Sequence, residues 1–76
     1  MERREEELLR QHLEHDNELA TVYEQHQAFK RQLEQFRSKH YLTPAEEVEE
    51  KRIQKLKLAS KDRMMAILHR YEHEAR

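Results

Sequence analysis

Seventy-six residues without cysteine, glycine or tryptophan leave room for one small domain and rule out disulfides and thiol catalysis. Fifteen basic residues against sixteen acidic ones give a net charge of −1, so no global field draws the chain to nucleic acid or to an anionic membrane. The chain is 36% hydrophobic and 41% charged, the make-up of long solvent-exposed helices and coiled coils. It holds no apolar run of the length of a signal sequence or membrane span, and a cytoplasmic protein is expected.

Residues 1–15 open Met-Glu-Arg-Arg-Glu-Glu-Glu, acids that suit the positive end of a helix dipole. Leu8 projects with the apolar stripe that follows, whereas Leu9 and Leu13 lie roughly a third of a turn away. That drift points to a kink or to a change of packing partner. Asp16 before Asn17 offers a cap for a new helix, so two readings stand: one continuous helix over 2–40, or a break near 16.

From Leu19 the register is plain. Leu19, Val22, His26, Phe29, Leu33, Phe36 and His40 recur at spacings of three and four, a narrow stripe of the kind that packs one helix along another. His26 sits on that stripe. A polar residue there either fixes register and oligomeric state or simply bonds a neighbour.

Tyr41, Leu42 and Thr43 then form the corner at 41–43, ahead of the only proline. Thr43 is placed as an N-cap, Pro44 at the first helical position and Glu46 where a capping box needs its acid. A second helix is expected over 44–74. Its inward face reads Ile53, Leu56, Ser60, Met64, Ile67 and Tyr71, and a second stripe of Leu58, Met65 and Leu68 runs beside it.

The expected fold is therefore all-α: a single antiparallel, coiled-coil-like helical hairpin. The first helix offers too narrow a stripe to hide both stripes of the second. Leaving Leu58, Met65 and Leu68 in water forgoes about 1.5–3 kcal/mol each. An apolar patch of that kind marks an interface, so the expectation is a homodimer forming a four-helix bundle, with another protein as the alternative partner.

Asp16-x-x-Leu19-x-x-Val22-x-Glu24-x-His26-x-x-Phe29-x-x-x-Leu33, then Leu42-Thr43-Pro44-Ala45-Glu46, then Lys57-Leu58-x-x-Lys61-Asp62-x-Met64-x-x-Ile67-Leu68 resembles the YdcH-like family of short bacterial proteins, a family without an assigned function. The similarity spans about residues 8–68, and its most specific part is the Lys61-Asp62 dipeptide between apolar residues. Ser60 stands where that family usually has leucine, and residues 69–76 run past its usual end. The resemblance implies a cytoplasmic bacterial helical hairpin and supplies no catalytic residue.

Six histidines invite a third functional reading, a metal- or pH-responsive protein working through the terminal ones, since histidine titrates near pH 6.5. With a continuous first helix, His12 and His15 would come opposite His69 and His73, and imidazoles one helical turn apart can share a tetrahedral ion such as Zn²⁺. Against this, the four lie at the open end of the hairpin with no cysteine among them, and solvated histidines on helix faces are ordinary. No metal or other cofactor is assigned.

Lys51, Arg52, Lys55, Lys57, Lys61 and Arg63 make residues 51–63 strongly basic, which suggests an accessory nucleic-acid contact as the runner-up function. No aromatic residue interleaves with those cations, as stacking on bases would require. The chain has no nucleophile with a base in reach and no glycine-rich phosphate loop, so it reads as non-enzymatic. Protein–protein association is the expected role, self-association first.

Overall fold

The structure, a computed structural model, describes residues 3–74. It is all-helical, with α1 at Arg3–His12, α2 at Asn17–Arg37 and α3 at Pro44–Glu74. Helices α2 and α3 run antiparallel. Asp16 meets Tyr71 at one end, His26 meets Ser60 midway and Lys39 meets Glu46 at the corner. The molecule is a rod of 49 × 21 × 17 Å, close to the length of about 46 Å that 31 helical residues rise. Among the described residues no helix is long and apolar enough to cross a membrane.

Of the two readings for the first forty residues, the structure takes the broken one. Helix α1 ends in a turn in which the Leu13 amide donates to the Leu9 carbonyl (3.0 Å) and the Asp16 amide to that of His12 (3.0 Å). Asp16 is extended, with φ −114° and ψ 100°, and its carboxylate accepts the Leu19 amide at 2.9 Å, which starts α2. An aspartate in this place satisfies an orphan amide and contributes about 1 kcal/mol.

The first long helix was expected to reach residue 40 but stops at Arg37. Ser38 turns its hydroxyl back to the Gln35 carbonyl (2.8 Å), and its amide bonds the Glu34 carbonyl (3.2 Å). The corner thus occupies 38–43, not 41–43. It closes without a positive φ among the described residues, as a chain without glycine requires. Thr43 and Glu46 then form a reciprocal capping box: the Thr43 amide donates to Glu46 Oε1 (3.1 Å), and the Glu46 amide donates to Thr43 Oγ1 (3.2 Å). Lys39 Nζ bridges to the same carboxylate across the corner, and with the capping bonds it holds Glu46 at a pKa of about 2.

The main departure from expectation concerns the second stripe of α3. Leu68, assigned to an interface between copies, is completely buried inside one chain. Because the chain breaks at 13–16, α1 folds back across α3 and brings Leu9 into a cluster with Leu19, Val22, Met64, Ile67 and Leu68. Leu8, Leu13, Tyr23, Met65 and Tyr71 pack around that cluster half-buried. Three helices therefore share one core at the open end of the hairpin.

Toward the corner only α2 faces α3, and Leu33 and Ile53 are the buried apolar residues there. Leu56, expected in the core, is 37% exposed because no third element covers its flank. Phe29 and Phe36 are half-buried for the same reason.

Candidate functional site

His26 is carried inward by the α2 stripe and Ser60 by the facing stripe of α3, and both are buried. The Ser60 hydroxyl donates to the Lys57 carbonyl at 2.7 Å. His26 Nδ1 lies 3.0 Å from Ser60 Oγ and 3.3 Å from the Lys57 carbonyl oxygen. A carbonyl only accepts, so the proton sits on Nδ1 and is shared between the two oxygens. Burial pushes the imidazole pKa below its usual value. The bond to the Lys57 carbonyl opposes that shift, while the charges of Lys30, Lys57 and Lys61 add to it. His26 is thus a neutral, tethered group in the wall of the core.

Beside this pair, α1 and the hairpin enclose a cleft of about 560 Å³. Leu9 and Leu13 from α1, Tyr23 from α2 and Leu58 and Met64 from α3 give it apolar walls, and His26 lines it too. Arg10, Lys30, Lys57 and Lys61 stand around it, with Glu6 as the one acid lining it among the described residues. Chemically, the cleft offers apolar area next to concentrated positive charge.

Of the three residues expected on the outer stripe, Leu58 remains 60% exposed, Met65 is half-buried against the core, and Leu68 is inside it. Val48 (69%) and Tyr41 (83%) are the other strongly exposed apolar side chains. The basic stretch 51–63 does not act as one face: Lys57 and Lys61 border the cleft, and Arg52 bonds Glu49 within α3 (Nε to Oε2, 3.1 Å).

The four terminal histidines do not converge. His12 stacks on Tyr71, with centroids 3.7 Å apart and rings 7° from parallel, and His15 meets its edge at 5.1 Å. His69 and His73 are exposed on α3. Among the described residues no three His, Cys, Asp or Glu side chains are arranged to hold a metal ion. The metal geometry needed an unbroken first helix, and the turn at 13–16 removes it.

Sequence reasoning missed the pairing of His26 with Ser60 and the cleft beside them. The signal for the first was present, since each is the polar member of a facing stripe. The second depends on where α1 returns. Compared with known proteins, the chain matches no family model, no curated protein and no solved structure.

Proposed function

We propose that this chain is a non-enzymatic protein–protein association module whose first partner is a second copy of itself, paired as a four-helix-type bundle. The carrying observation is Leu58, which stays 60% exposed at the edge of the cleft between α1 and the hairpin. Val48, 69% exposed, is a second uncovered apolar side chain on α3, ten residues or roughly three turns earlier. Removing such side chains from water stabilises by about 1.5–3 kcal/mol each, and chains this small gain much of their stability by assembling. The interface is narrower than the stripe of Leu58, Met65 and Leu68, because α1 takes Leu68 and much of Met65.

A kinship with the YdcH-like family belongs to this proposal, supported by the corner motif at 42–46 and by Lys61-Asp62. That kinship carries the cytoplasmic bacterial setting with it. Nucleic-acid binding through 51–63 draws no support from the dispersal of those cations.

Sedimentation of the wild type and of Leu58→Glu tests the reading. The expected result is a dimer that becomes a monomer in the variant with its helix content unchanged. A wild type that stays monomeric at every concentration overturns it.

A further inference from the structure

The cleft between α1 and the hairpin carries an inference beyond self-association. Like Arg31, Arg37, Lys51, Lys55 and Arg63, its cations form no ion pair among the described residues, and what sets them apart is that they share one opening. Arg3, Arg4, Lys39, Arg52 and Arg70 each reach an acid within 4 Å. Arg10, Lys30, Lys57 and Lys61 form no ion pair among the described residues, although the chain has sixteen acids to share. Three helices contribute them to one opening, so their mutual repulsion is a standing cost of the fold.

Below the charges lie Leu13, Tyr23 and the edge of Leu9, with Met64 buried behind them and His26 beside them. With Nδ1 donating to Ser60 and Lys57, Nε2 is an acceptor with no hydrogen bond among the described residues, so an anion's oxygens would be held by the cations and not by His26. A volume of about 560 Å³ falls within the roughly 300–1,000 Å³ of small-molecule sites. The apolar floor excludes a bare inorganic anion as the best occupant, and the rim excludes a purely apolar one. We propose that this cleft binds a small amphipathic anion, with a carboxylate or phosphate head between Lys57 and Lys61 and an apolar body against Leu13, Tyr23 and the edge of Leu9.

The probes are decanoate, decyl phosphate, decanol and inorganic phosphate, titrated into the full chain by calorimetry and by the ring and methyl NMR signals of His26, Leu9 and Met64. The two alkyl anions distinguish an acyl carboxylate from a phosphate head. At least one should bind roughly tenfold or more tightly than decanol, because charge-assisted bonds are worth that factor, and added salt should weaken it. Lys57→Gln with Lys61→Gln should lose about that factor while circular dichroism stays unchanged. Leu58 borders the same cleft, so sedimentation of the double variant and of the liganded protein is read alongside binding. Failure of the wild type to bind with assembly intact overturns this proposal alone, and failure to assemble with the ligand still bound overturns self-association alone.

Equal binding of decanol overturns the anionic half of the proposal, and equal binding of inorganic phosphate overturns the apolar half. No binding by either alkyl anion, or shifts confined to Val48 and the outer side of α3, overturns it altogether. If the double variant does not fold, the salt dependence and the decanol comparison in the wild type decide alone.

Discussion

At the scale of single residues, the His26–Ser60 pair shows how one polar layer is accommodated in a small core. Each side chain is buried, and His26 Nδ1 and the Ser60 hydroxyl are satisfied by each other and by the Lys57 carbonyl. Removing one partner leaves the other less well bonded, so Ser60→Ala should cost about 1–2 kcal/mol in urea unfolding. Replacing both, as His26→Leu with Ser60→Leu, should come out neutral or stabilising, since no polar group is then stranded. The two singles and the double close a thermodynamic cycle, and strictly additive effects would show that the pair is not coupled.

The pH dependence has a definite sign. His26 holds its proton less tightly when folded than the ordinary imidazole of about 6.5. Above that pH both states are neutral and nothing is lost. Below it the unfolded chain takes up a proton that the folded chain resists, so stability falls as pH drops from about 6.5 toward the folded pKa. Unfolding midpoints at pH 7.5 and 5.5 should differ more in the wild type than in His26→Leu.

At the scale of elements, α1 decides what α3 exposes. Asp16 serves twice, accepting the Leu19 amide with one oxygen and the Tyr71 hydroxyl with the other. The Tyr71 hydrogen bond, then the capping bond, pulls its carboxyl below the usual range. Asp16→Ala should therefore cost about 1–2 kcal/mol, beyond an ordinary cap because Tyr71 loses its acceptor as well. Leu68→Ala should cost more, about 2–5 kcal/mol, since it empties a fully buried site. Deleting residues 1–13 would bare Leu68 and Met65, and sedimentation of that truncated chain should show stronger association than the full chain. No gain in association would mean that α1 does not shield this surface.

Much of this scale was legible in the residues. Thr43, Pro44 and Glu46 announce their capping box by chemistry alone, and the stripe from Leu19 to Leu33 follows from spacing. Asp16 before Asn17 and the off-stripe Leu9 and Leu13 marked the break. The direction of α1 after that break was not legible. Local periodicity says which face is apolar, but the partner that covers it is set by tertiary packing across more than fifty residues. Leu68 was misplaced for that reason, and Leu56 because a stripe position is buried only where something lies opposite its flank.

At the scale of the whole molecule, the rod is uneven. Its open end holds a three-helix core with Leu19, Met64 and Leu68 fully buried, while the corner end depends on Leu33 and Ile53. Hydrogen exchange should follow that gradient, with the slowest amides near 19–26 and 60–68 and faster ones along 29–37 and 48–56. Uniform protection along α3 would contradict it. Self-association would add cover where the single chain has least.

The carboxylate of Asp16, gripping both its own helix and the far end of α3, has a mechanical corollary. The hairpin is latched at each extremity, by Lys39 and Glu46 where it bends and by Asp16 and Tyr71 where it would otherwise gape. Tension applied through the two chain ends would load the Asp16 latch before it strained the bend, so α1 should peel away first and the long helices should part only once that grip had failed.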